Sequence, residues 1–235
     1  MYFYDSILGW FIIIGSLFPY SLQYYKIYKT SSVEGISDLM LLSGCVSSFF
    51  SMLAIIFNNF YKIINSDKIL DRYLLSVPIL QLSTPFALIE ISYLLFFIFT
   101  KEQCKKTVYL LWHILGGIFL VTVFPILMIN LYDVNYVYVG LNILSGIFSI
   151  IMWIPQIITT CKQRGPGSLS IISLICQATG CLLVILFQLL DNTSPTIIIP
   201  YVIGFSSEMI LVLMCLYYKC HLSNKEDFIR LGDTI

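Results

Sequence analysis

Two glutamates, Glu90 and Glu208, stand inside long apolar runs, eleven residues before Lys101 and Lys219 respectively. An isolated carboxylate in hydrocarbon is costly, so such a group stays protonated, pairs, or lines water. The chemistry it offers is binding of a proton or of a cationic group. The structural alternative is a hydrogen bond between helices. No basic residue is expected at the same depth, because lysine and arginine cluster at the ends of the runs. His113, beside Trp112, reads as a packing residue more than as a proton relay.

Two prolines form a second set. Phe18-Pro19-Tyr20 and Ile154-Pro155-Gln156 each lie within an apolar run, and Lys26 and Lys162 each follow seven residues after the proline. Proline removes a helix hydrogen bond and permits a kink, so Pro19 and Pro155 are candidate hinges. Gln156 and Tyr20 follow them with groups that seek partners in an apolar medium. Asn142 and Gln177 are further polar candidates for lining a pathway. No Ser/His/Asp set, metal-ligand cluster or phosphate-cradling glycine loop appears, so neither an enzyme nor a cofactor is expected. The seven cysteines form no CxxC pair and lie mostly in apolar runs.

The elements that must hold these residues are membrane helices. Of 235 residues, 58% are hydrophobic and 11% charged, and the mean hydropathy is +0.89. These values exclude a soluble enzyme, a disordered chain and a nucleic-acid binder. Seven stretches reach the ~20 apolar residues a spanning helix needs. They run over about 6–28, 37–57, 73–99, 108–131, 136–160, 168–190 and 195–218, followed by a short tail, 221–235. Ten basic residues fall on the side of Lys26, Lys101, Lys162 and the tail, and three (Lys62, Lys68, Arg72) on the other. The positive-inside rule then puts the C-terminus in the cytosol and the N-terminus in a lumen or outside. The sequon Asn192-Thr193-Ser194 falls on the lumenal side, close to the membrane.

The runs repeat. Counting from the prolines, the first and fifth helices match, and each exits through a basic loop. Those loops end in Gly35-Ile36-Ser37 and Gly167-Ser168-Leu169-Ser170, with serine placed to cap the next helix. The third and seventh helices match through their glutamates, each about 16 Å from the basic end and so near the middle of a ~30 Å core. The expected fold is all-α: seven transmembrane helices in a parallel 3+1+3 repeat. Repeat 1 covers about 6–99, a linker helix 108–131 and repeat 2 about 136–218, in one domain over 1–220.

Trp153-Ile154-Pro155-Gln156 through Gly167-Ser168-Leu169-Ser170 resembles the PQ-loop repeat family, which is related to cystinosin and the SWEET carriers. Gln177-Ala178-Thr179-Gly180 is similar to the sixth helix of fungal and protist members. The first repeat matches less closely: Tyr20 replaces the glutamine, and its loop is three residues longer. The resemblance implies two three-helix bundles around a central pathway. It implies a small-solute carrier of an internal membrane of vacuole or lysosome type, most readily an amino-acid exporter, with proton coupling in several members. Those members carry an acid near the second motif, where Arg164-Gly165-Pro166-Gly167 is basic here. The implied partners are the bilayer and a small solute. The other readings are a seven-helix receptor or sorting protein, and an accessory protein for lipid-linked sugars.

Overall fold

The computed structural model describes residues 2–126, 134–190 and 195–232. Among these, seven α-helices appear: α1 (Tyr2–Thr30), α2 (Asp38–Ile64), α3 (Ile69–Phe99), α4 (Gln103–Ile118), α5 (Val134–Gln163), α6 (Ile171–Leu190) and α7 (Pro195–Gly232). No strand occurs among the described residues. Five helical stretches are long and apolar enough to cross a bilayer: Asp38–Ile64, Ile69–Phe99, Gln103–Ile126, Tyr136–Gln163 and Tyr201–His221. Ile171–Leu186 is a shorter apolar helix. Large apolar side chains point outward along these helices, Val121 and Ile114 among them, as lipid-facing surfaces require. The chain is a multi-pass membrane protein.

The serine caps form as expected. Ser37 Oγ accepts the Met40 N–H at 3.4 Å, and Ser170 Oγ accepts the Ser173 N–H at 3.3 Å. These bonds satisfy backbone donors that the first turns of α2 and α6 leave open. Pro19, Pro78, Pro85 and Pro155 are all absorbed within helices.

One expected helix end lies outside the described residues and another differs from expectation. The linker α4 passes into a π-helical turn at Phe119–Val123, and its expected end at 131 lies outside the described residues, as does the sequon at 192–194. The expected tail is instead a continuation of α7 to Gly232. Nothing between the last apolar residues and Gly232 breaks a helix, and Lys225, Glu226 and Arg230 are good helix formers in water.

Helix neighbours close into a ring in the order α1, α3, α2, α5, α7, α6 and back to α1, while α4 lies outside it against α3 and α2. Small polar residues bring α2 and α5 together: Ser47 Oγ donates to the Ser145 carbonyl at 2.9 Å, and the Ser51 hydroxyl meets that of Ser145. Close approach over small residues is the usual means by which helices associate where lipid removes the hydrophobic drive. Phe49 then ties α2 to its neighbours, with ring centroids 5.8 Å from Phe86, Trp112 and Phe119.

Candidate functional site

The end bearing Lys26, Lys29 and Lys162, termed the basic end, is closed by two glutamines that each reach into the other half. Gln156, on α5, is fully buried. Its Oε1 accepts the Ser37 N–H at 2.8 Å and its Nε2 donates to the Gly35 carbonyl at 2.6 Å, with a longer bond to Thr160 Oγ1. Gln23, on α1, does the same in the opposite direction. Its Oε1 accepts the Ser170 N–H at 2.7 Å and its Nε2 donates to the Ser168 carbonyl at 3.0 Å. One primary amide has one acceptor and one donor side. It therefore pairs with a carbonyl and the N–H two residues on, as a strand neighbour would. Lys26 Nζ adds a bond to the Leu169 carbonyl, and Ser173 Oγ donates to the Pro19 carbonyl at 2.7 Å.

The loops themselves touch. The Ser168 N–H donates to the Glu34 carbonyl at 2.6 Å. Gly35 (φ +95°) and Gly167 (φ +50°) lie back to back in the left-handed region. A Cβ on Gly35 would sit 2.8 Å from the Pro166 oxygen, and one on Gly167 would run into the Glu34 carbonyl. Glycine is thus required twice over, by conformation and by space.

The two halves correspond residue by residue around this closure. Gln23 pairs with Gln156, Ser31 with Arg164, Ile36 with Leu169, Ser37 with Ser170 and Leu41 with Leu174, at one constant separation along the chain. Ser31 and Arg164 both adopt positive φ, of 47° and 50°, and each N–H returns 3.3 Å to a carbonyl three residues back. This register corrects the one counted from the prolines. Gln23, not Tyr20, is the counterpart of Gln156, and the two loops are equal in length. Pro19 then sits one helical turn deeper than Pro155, whose counterpart is Leu22. Tyr20 is the counterpart of Trp153.

Beneath the closure lies a small cavity of about 60 Å³, lined by α1, α2, α3, α5 and α6. Its polar lining is uncharged: Tyr20, Gln23, Ser92, Gln156, Ser173 and Gln177. Of the expected pathway residues, Tyr20, Gln156 and Gln177 are therefore brought together. Gln177 Nε2 donates to Ser173 Oγ at 3.0 Å. Asn142 is not: it is exposed, and its amide returns to the Tyr138 carbonyl at 3.0 Å on its own helix. Glu90 and Glu208 also stand apart from the cavity lining.

Glu90, on α3, faces the linker. Its Oε1 accepts the Trp112 indole N–H at 2.8 Å, and its Oε2 lies 3.2 Å from His113 Nε2. His113 is thus a partner at the depth of the glutamate, contrary to the expectation that none exists there and that the histidine is packing. The two meet because α3 and α4 are antiparallel and joined by a short turn, which sets residues at equal distances from it side by side. Glu208 is buried beside the Cys181 thiol, and its Oε2 has no hydrogen-bond partner among the described residues.

The family model for the PQ loop repeat matches residues 6–64 and 137–197, slightly more than half of the chain. The chain belongs to the PQ-loop repeat family. Each matched segment of this PQ-loop protein holds one clipping glutamine and the loop that the other glutamine reads. Glu90, the linker α4 and Glu208 lie outside both. The fold of the PQ-loop protein is similar to that of a eukaryotic SWEET transporter. That likeness has a TM-score of 0.55 at 12% sequence identity, over 93% of this chain and 99% of the other. No curated protein matches the sequence. Sequence reasoning missed Gln23. The signal was present: Gln23 precedes Ser37 by the same fourteen positions that separate Gln156 from Ser170.

Proposed function

We propose that this protein is a small-solute carrier of an internal membrane, working by alternating access and exporting amino acids, with its cytosolic gate closed here. The observation that carries this reading is the pair of reciprocal amide clips sealing an uncharged cavity. A seal made of a few hydrogen bonds, each contributing about 1 kcal/mol net, can part and re-form during a transport cycle. A seal of packed core could not do so at similar cost.

The two halves are read as parallel three-helix bundles, α1–α3 and α5–α7, joined by α4, and the constant separation of corresponding residues supports this. The basic end is read as cytosolic from the distribution of lysine and arginine. Pro19 and Pro155 lie just inside the closure and are read as the hinges that let it part. The cavity's amides and hydroxyls suit a polar solute without net charge, which a zwitterionic amino acid is.

Uptake by purified protein in proteoliposomes tests the proposal, with labelled amino acids and sugars, with and without an acid gradient. Saturable uptake of an amino acid is expected. No uptake of any solute by folded protein would overturn the carrier reading and favour the receptor or accessory roles.

A further inference from the structure

We propose that Glu90 and His113 form a single proton-binding site that fastens the linker helix α4 to α3, and that this site, not Glu208, couples proton binding to the carrier's cycle. The inference rests on the carrier reading for its second part alone. Its first part stands on the cluster itself.

Glu90 is mostly buried; its Oε1 accepts the Trp112 N–H at 2.8 Å, while its Oε2 lies at ion-pair distance, 3.2 Å, from His113 Nε2 and has no hydrogen-bond partner among the described residues. The His113 ring is held from its other side: Nδ1 lies 2.9 Å from the Tyr109 carbonyl, and the Tyr109 ring is 4.2 Å away. A carbonyl can only accept, so Nδ1 carries the proton, and Nε2 faces the carboxylate. The pair then has three levels of protonation. With one shared proton it is neutral, as carboxylate with imidazolium, and the attraction holds α4. Without that proton the Nε2 lone pair faces the carboxylate, the pair is net negative and the attraction is lost; a second proton, giving carboxylic acid beside imidazolium, also removes the ion pair. Imidazole is the side chain whose ordinary titration range spans physiological pH.

The other ionisable groups facing the pair do not supply a competing counter-charge. From α2 come the Cys45 thiol, beside Glu90, and Asp38, within electrostatic reach of Tyr93. From α1, the Tyr24 hydroxyl is turned to the Leu88 carbonyl. On α3, the Tyr93 hydroxyl is buried without a partner among the described residues. On α4, Lys105 pairs with Glu102 at 2.7 Å, and Lys106 lies over the Phe97 ring. Glu208 likewise sits beside a thiol, Cys181, and within electrostatic reach of Tyr20, but no basic side chain pairs with it among the described residues, so it offers no ion pair to exchange on protonation. Besides this polar attachment, α4 is held by aromatic contacts, Trp112 with Phe49 and Tyr109 with Tyr93 and Phe97, so a change in the pair acts on a helix that stays packed.

The test uses the full chain labelled with 5-fluorotryptophan in detergent or nanodiscs. It gives three fluorine resonances, with that of Trp112 assigned by Trp112→Phe. The Trp112 resonance is expected to shift with pH in one transition, which Glu90→Gln and His113→Asn each abolish and Glu208→Gln leaves in place. In proteoliposomes, Glu90→Gln and His113→Asn should also lose the stimulation of uptake by an acid gradient, and Glu208→Gln should keep it. A Trp112 resonance indifferent to pH, or a transition that survives His113→Asn in folded protein, overturns the site. A pH transition in a protein that moves no solute supports the site while overturning the carrier reading, so the two failures are told apart.

Discussion

Gln156 and Gln23 make equivalent bonds, so their loss should have equivalent consequences. In Gln156→Leu, the Ser37 N–H and Gly35 carbonyl lose their partners inside a buried seam. An unsatisfied buried group costs about 1–3 kcal/mol, and every ~1.4 kcal/mol shifts an equilibrium tenfold. The closed state should therefore lose stability by at least tenfold relative to the open one. Reaction of a cysteine placed at Ser92, in a background without native cysteines, measures this as faster labelling from the basic side. Gln23→Leu should give the same acceleration, and Tyr20→Phe should not. That Tyr20 is expected to be silent here follows from its register against Trp153. Reading from the proline assigns it the glutamine's place. Reading from the capping serine does not, because the serine is fixed by the helix start whereas a proline is tolerated at several turns of a membrane helix.

The loops show which parts of an element the sequence makes legible. Gly35-Ile36-Ser37 and Gly167-Ser168-Leu169-Ser170 were readable as helix starts because a capping serine has a local cause. That they meet each other was not readable, since contact between two loops far apart in sequence depends on how the halves dock. The meeting has a checkable consequence. Gly167→Ala places a methyl group against the Glu34 carbonyl in a left-handed conformation that alanine rarely adopts. Strain of this kind amounts to about 1–3 kcal/mol. We expect a lower melting temperature and, as for the glutamine variants, a more accessible basic end; Gly165→Ala, where the nearest atom is 3.9 Å away, serves as the control. His113 was misjudged for a related reason. Its partner is 23 residues back on an antiparallel helix, and a histidine beside a tryptophan carries no local mark of that contact.

At the scale of the whole molecule, an all-helical membrane chain was visible because bilayer thickness dictates helix length, although five of the seven expected runs are spans among the described residues. The closing of six helices into a ring with α4 outside was not, because neighbour choice depends on side-chain fit. Motion of one half against the other is where the prolines bear. If Pro19 and Pro155 permit the swing, Pro155→Ala should slow uptake severalfold with little change in substrate affinity, and Pro19→Ala should do the same. Turnover measured at saturating substrate is the relevant readout. Unchanged turnover in both would make the two kinks static.

The reciprocal clip has the form of an isologous interface. Each half offers one patch that contains both a reading amide and a loop to be read, and the two patches are related as two copies of a subunit are about a twofold axis. Gln23 and Gly35–Ser37 belong to the same stretch of chain, so the first half carries the complete complement of its own closure. A change that moves the amide in one half is matched by a loop shift in the other, not in its own. The two halves are therefore bound to diverge together at this end, even where, as at Glu90 and Glu208, they have been free to become different elsewhere.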